Sequence, residues 1–125
     1  MSQKILIVDD EPHIRMLLEQ TLEDFEDDGV ELLFASDGAA ALQTIRDERP
    51  DLVYLDVMMP AMNGFDVCRA VRSEAAIAET HIVILTAKGQ EFDRRQGADV
   101  GADVFMTKPF DPSAVVAHTA QVLGL

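Results

Sequence analysis

Three short stretches of this chain are apolar without interruption, and they restrict the fold more than any other feature. Residues 5–8 (ILIV), 52–55 (LVYL) and 82–85 (IVIL) are too short for buried helices and do not alternate apolar with polar. Short β-branched runs of this kind suit strands covered on both faces, and that environment belongs to parallel sheets flanked by helices. Residues 30–35 (VELLFA) and 104–106 (VFM) are weaker strand candidates.

Between these runs the period changes to that of a helix. After Pro12, the residues Ile14, Leu17, Leu18, Leu22 and Phe25 recur at helical spacing, with proline suited to the first turn. Asp37 can cap a helix containing Leu42 and Ile45 that ends before Pro50. Asn63 or Gly64 opens a third helix, with Phe65, Cys68 and Val71 or Arg72 marking its sides. Residues 92–100 form a poorer helix, weakened by Gly97 and ending near Gly101. Asp111 and Pro112 cap and begin a last helix reaching about Leu123. Five β-α units with short right-handed connections predict an α/β fold, a doubly wound parallel sheet with helices on both faces.

A chain of 125 residues fits one domain, residues 1–125, with no linker, repeat or low-complexity tract. Cys68 is the only cysteine, so an intrachain disulfide is excluded, in keeping with a reducing compartment. The apolar run at residues 5–8 is too short for a signal peptide core or a membrane span, so a cytoplasmic location without membrane insertion is expected. Net charge is −13, from 23 acids against 10 bases, and apart from Arg94-Arg95 the bases are scattered. Such a surface is poorly suited to a phosphate backbone, so no direct nucleic-acid binding is expected.

In a parallel sheet the C-terminal ends of all strands share one edge, where ligands bind. Here the first strand ends in Asp9-Asp10, the third in Asp56, the fourth in Thr86 and the fifth in Thr107-Lys108-Pro109. Taken singly, each has an ordinary structural role. Asp9 and Asp10 could cap a helix, Thr86 could bond nearby backbone, and Lys108 could be a solvated loop residue. Asp56 is harder to dismiss, because it ends a buried run. Together they place three carboxylates, a hydroxyl and an ammonium on one rim. Clustered carboxylates repel and titrate as a coupled set. A hard divalent cation relieves that repulsion, and Mg²⁺ accepts one or two carboxylates together with water and phosphate oxygens. The remaining ligand such a rim calls for is a dianionic phosphoryl group, with Asp56 as nucleophile.

At this point the sequence resembles a known family, the receiver domains of two-component response regulators, and among them the single-domain chemotaxis type. The resemblance is carried by "KILIVDDEP", "DLVYLDVMMPAMNGFDVCRAVR", "HIVILTAK" and "GADVFMTKPF", and covers essentially the whole chain. It implies a flavodoxin-like five-stranded sheet of order 2-1-3-4-5. It further implies that Asp56 is the phosphoacceptor, Asp10 a direct Mg²⁺ ligand, and Asp9 the acid holding metal-bound water. Met58 would lend a backbone carbonyl to the metal. Thr86 would bond the phosphoryl group, Lys108 would contact a phosphoryl oxygen, and the Lys108–Pro109 bond would be cis. Thr86 and Phe105 would form the switch, with core packing as the plain alternative for Phe105. Met58 and Lys88 would flank the path of attacking water and tune the lifetime of the phosphoryl group.

The expected partners are a sensor histidine kinase or histidine phosphotransfer protein and a downstream protein target. The last helix carries no Lys or Arg, which argues against the salt-bridged dimer of transcription-factor relatives and for a monomer or weak dimer. A free-standing receiver is the expectation, with an excised module as the alternative. A rival class, the haloacid-dehalogenase phosphatases, combines Asp, Thr, Lys and Mg²⁺ but places a second Asp where this chain has Met58. A receiver-like module that is never phosphorylated is disfavoured by the complete acidic set. His13, His81 and His118 lie without ligand spacing and are expected to be ordinary surface or capping residues. Cys68 reads as a small core residue.

Overall fold

The computed structural model describes residues 2–87 and 98–125. The five expected strands form one sheet in the order β2-β1-β3-β4-β5. They are β1 (Lys4–Val8), β2 (Glu31–Ala35), β3 (Leu52–Asp56), β4 (His81–Ala87) and β5 (Val104–Lys108). Every neighbouring pair is parallel, so the C-terminal ends of the strands do share one edge.

The uninterrupted apolar runs are explained by two separate cores. Ile5, Ile7, Leu52, Tyr54, Val83 and Leu85 point to one face, against Leu18 and Leu22 of α1 (Pro12–Leu22) and Val115 and Leu123 of the C-terminal helix (Pro112–Leu123). Leu6, Val8, Val53, Leu55, Ile82 and Ile84 point to the other, against Leu42 and Ile45 of α2 (Gly38–Glu48) and Phe65, Cys68 and Val71 of α3 (Gly64–Ser73). The apolar runs of the central strands are buried because helices cover both faces of the sheet. Tyr54 also ties the layers by a polar contact: its hydroxyl lies 2.7 Å from Thr119 Oγ1 and donates or accepts there, and 3.2 Å from the Val115 carbonyl. Burial pushes the Tyr54 phenol up to about 12, so it stays a neutral hydrogen-bonding group.

The caps follow from short polar side chains at the helix starts. Asp37 accepts a hydrogen bond from the Ala40 N–H (2.8 Å) and Asp111 from the Ser113 N–H (3.0 Å). Asn63 and Asp66 form a reciprocal capping box at the start of α3. Asn63→Ala should lower stability by about 1 kcal/mol, seen as a lower urea midpoint at unchanged slope.

Two readings of the sequence need correction. The first helix does not continue through Phe25: it ends at Leu22 and gives way to a 3₁₀ turn, Glu23–Asp28, closed by Gly29 at φ 85°. The sequence EDFEDD carries five acids, which are repelled by the negative C-terminal end of a helix, while Phe25 remains buried. The second correction concerns histidine. His81, at the start of β4, and His118, on the C-terminal helix, meet with their Nε2 atoms 2.9 Å apart. The helix expected over residues 92–100 lies mostly outside the described residues. Its end is helical at Ala98 and Asp99, and Gly101 follows at φ 88°.

Candidate functional site

The residues that end β1, β3 and β5 converge. Asp9 follows β1 and is fully buried, Asp10 beside it is exposed, and Asp56 is the last residue of β3. One carboxylate oxygen from each of the three lies within 4.8 Å of the others. Lys108, the last residue of β5, reaches between two of them. Its Nζ donates to Asp9 Oδ2 at 2.8 Å and to Asp56 Oδ1 at 2.9 Å. The second oxygen of Asp9 accepts the Glu11 N–H at 2.9 Å, so both of its oxygens have partners.

The electrostatics follow from burial. The Asp56 side chain is only 5% exposed. Burial pushes its carboxyl up to about 6, Lys108 pulls back by hydrogen bonding, and Asp9 pushes further up. A backbone hydrogen bond from Met58 favours the charged form. For Lys108 burial acts downward, but the hydrogen bonds to Asp9 and Asp56 outweigh it and raise its pKa, so the ammonium stays charged. The rim therefore holds a partly buried positive charge that is already shared by two acids.

The remaining predicted residues take these places. Thr86 lies on β4, nearly fully buried, opposite Thr107 in the β4–β5 register. Phe105 pairs with Ile84, two residues earlier in the same register, so Thr86 and Phe105 share one face of the sheet. Phe105 is half-buried and packs against the α2–α3 core. Met58 is 73% exposed beside the rim. The Lys108–Pro109 bond is cis. Lys88 lies outside the described residues.

Three supports of the site were missing from the sequence reading. The Arg15 Nη1 donates to the Asp9 carbonyl at 2.6 Å, which fixes the chain at the end of β1. A side chain at Gly64 would collide with the Asp56 carbonyl oxygen, and one at Gly38 with the Met62 carbonyl. Gly64 also donates its N–H to the Val57 carbonyl at 3.0 Å. The loop after Asp56 thus folds back tightly onto its own strand. Asn63-Gly64 signalled a turn in the sequence, but the close approach of Gly64 to the backbone of Asp56, eight positions earlier, gives no local pattern.

The family model for the response regulator receiver domain matches residues 5–120. The chain belongs to that family. As a receiver domain of two-component response regulators it carries an acidic pocket suited to Mg²⁺ and to a phosphoaspartate, consistent with a phosphorylation-dependent signalling switch. The alkaline phosphatase synthesis transcriptional regulatory protein PhoP of Bacillus subtilis is 44% identical over 98% of this chain and 49% of its own length. The DNA-binding response regulator MtrA of Mycolicibacterium smegmatis is 43% identical over 94% of this chain and 49% of its own. This receiver chain therefore spans about half the length of the curated relatives it matches. Among solved structures, the chemotaxis protein CheY4 of Vibrio cholerae superposes with a TM-score of 0.85 at 34% identity, covering 98% of this chain and 99% of that one. No helix among the described residues is long and apolar enough to cross a membrane.

Proposed function

We propose that Asp56 accepts a phosphoryl group from a phosphohistidine of a sensor kinase or phosphotransfer protein, and that this receiver thereby switches a protein partner. The observation that carries the reading is the Lys108 ammonium held between Asp9 and Asp56 at the end of a fully buried strand. A rigid core fixes the nucleophile, and in phosphoryl transfer positioning and charge neutralisation do nearly all of the catalytic work.

The donor set fits a hard divalent cation: three carboxylates within reach of one centre, two of them already drawn to a positive charge. Asp9, Asp10, Asp56 and the Met58 carbonyl would hold Mg²⁺, which when bound supplies positive charge against the oxygens of the phosphoryl group. The chain's own residues do the rest. An Asp56 oxygen attacks phosphorus in line with the departing imidazole nitrogen. As the O–P bond forms the N–P bond breaks, and the imidazole keeps the electron pair and takes a proton. Lys108 exchanges a carboxylate contact for a phosphoryl oxygen. Hydrolysis of the acyl phosphate later returns inorganic phosphate by attack of water along the same line, so the domain turns over its own modification only.

Thr86 is the hydroxyl that bonds the phosphoryl group, and Phe105 fills the space Thr86 leaves. Their common face and adjacent register positions support this coupling. The output is a shift between two populations. Phenylalanine lacks a hydroxyl to anchor its outward state, so burial alone favours the inward one. Net charge of −13 and scattered bases argue against nucleic-acid contact by this domain itself, and the C-terminal helix without Lys or Arg supports a monomer or weak dimer. We place this single receiver domain in the cytoplasm, where a kinase's phosphohistidine would meet it.

Incubation with acetyl phosphate and Mg²⁺ should add one phosphoryl group per chain by intact-mass measurement, and removal of Mg²⁺ should prevent it. A chain that stays unmodified under both conditions contradicts the reading. Met58, apolar and open to solvent beside Asp56, cannot orient a water by hydrogen bonding; Lys88 is proposed as a second residue that tunes the lifetime. Met58→Asn should shorten the phosphoryl half-life, and an unchanged decay rate would remove Met58 from the tuning role.

A further inference from the structure

At the edge opposite the acidic rim, the imidazoles of His81 and His118 face each other. Their Nε2 atoms are 2.9 Å apart, with ring centroids at 5.0 Å and planes inclined by 39°. His81 begins β4 and His118 projects from the C-terminal helix, so the two rings come from separately rooted elements. Two neutral imidazoles at this distance share one proton: one Nε2 donates and the other offers its lone pair. On the far side of His81, Nδ1 lies 3.9 Å from Asp103 Oδ2. That carboxylate is fixed from two other directions, accepting from Arg72 Nη2 and from the Ile82 N–H, each at 2.8 Å. A negative oxygen on this side favours the proton on His81 Nδ1 and leaves its Nε2 lone pair directed at His118.

We propose that His81 and His118 form a two-imidazole binding site for a borderline divalent transition metal of the Zn²⁺ class, distinct from the acidic rim. Nitrogen ligands of this type suit Zn²⁺, Cu²⁺ and Ni²⁺ and are poor for Mg²⁺, whereas the rim offers hard oxygens. Tetrahedral Zn²⁺ with bonds of about 2.0–2.1 Å needs its two nitrogens roughly 3.3 Å apart. From the hydrogen-bonded distance the pair has to open by about 0.4 Å, and both rings have to tilt so that their lone pairs converge on the metal instead of pointing at each other. The His118 proton moves through solvent from Nε2 to Nδ1, so both lone pairs face the metal without net proton release. Asp103 lies behind His81 at 3.9 Å, beyond hydrogen-bond distance, and places a negative charge on the side of the ring away from the metal. His81 is 27% exposed at its side chain, so water can complete the coordination. Burial and the neighbouring His81 lower the pKa of His118, which keeps its lone pair available at neutral pH.

The test is a Zn²⁺ titration of the full chain in excess Mg²⁺, which keeps the acidic rim occupied. Wild type and the control His13→Gln should each bind one equivalent. His81→Gln and His118→Gln should each bind about tenfold or more weakly, because losing one arm removes the gain from two-point attachment. In wild type, the Nε2 resonances of His81 and His118 should shift together in ¹H–¹⁵N spectra as Zn²⁺ is added. The proposal is overturned if either histidine variant binds as tightly as wild type, if His13→Gln loses the binding, or if the two Nε2 resonances do not move.

Discussion

Asp56→Asn abolishes phosphoryl incorporation from acetyl phosphate and, in Mg²⁺-free buffer, makes the folded domain more stable. The first effect follows from the loss of the nucleophilic oxygen anion. The second follows from burial. The folded Asp56 carboxyl is raised from 3.8 to about 6, so the folded state holds the proton more tightly than the unfolded chain. An acid shifted in this direction costs stability above its folded pKa, and the cost fades as pH falls toward 3.8. The neutral amide removes that cost. The expected gain at neutral pH is on the order of 2–3 kcal/mol, read as a higher urea midpoint than wild type. Below about pH 4 the two curves should converge. An Asn variant that is less stable than wild type at pH 7 without Mg²⁺ would show that Lys108 compensates the buried charge fully.

Lys108→Ala has the opposite effect on stability and a similar one on chemistry. Two buried carboxylates, Asp9 and Asp56, lose the ammonium they share. Breaking a buried ion pair from one side typically costs about 3–5 kcal/mol, because the abandoned charge has no water to replace its partner. The Asp56 carboxyl should rise further, since the Lys108 hydrogen bond is what holds it down. Phosphotransfer should slow by about 10²–10³-fold, as when a charge-stabilising donor is removed from a transition state. Mg²⁺ should bind more tightly than in wild type, because no competing ammonium remains between the acids. Stopped-flow phosphorylation and urea unfolding with and without Mg²⁺ measure both consequences. A variant with wild-type stability and rate would remove Lys108 from the account.

The convergence of Asp9, Asp10, Asp56 and Lys108 was legible because a parallel sheet has a simple rule. Whatever follows each apolar run ends up on one edge, and the runs themselves are unmistakable when buried on both faces. Asp56 stood out for the same reason, as an acid closing a strand with no exposed residue. The capping residues Asp37, Asn63 and Asp111 could be read because a cap is decided within a single turn. The meeting of His81 with His118 could not be read in that way. It depends on how the C-terminal helix lies across the start of β4, a packing angle set by Tyr54, Val83, Val115 and other residues distributed over the chain. Arg15 on the Asp9 carbonyl and Gly64 on the Asp56 carbonyl escaped notice likewise, because each is a contact to backbone that any residue type could have offered. The boundary of α1 was misjudged because the period of Phe25 fits a helix, while the run of acids around it does not.

The central claim is that the acids at the C-terminal edge of the sheet coexist by sharing a divalent cation and thereby prepare one of them to take phosphorus. A Mg²⁺ titration followed through the backbone amide resonances of Asp9, Asp10, Asp56 and Met58 tests it most directly, in wild type and in Asp10→Asn. Wild type should show one saturable site, with all four amides moving together, and the variant an affinity weakened about tenfold or more. Amides that do not respond to Mg²⁺, or a variant that binds it as tightly as wild type, would contradict it.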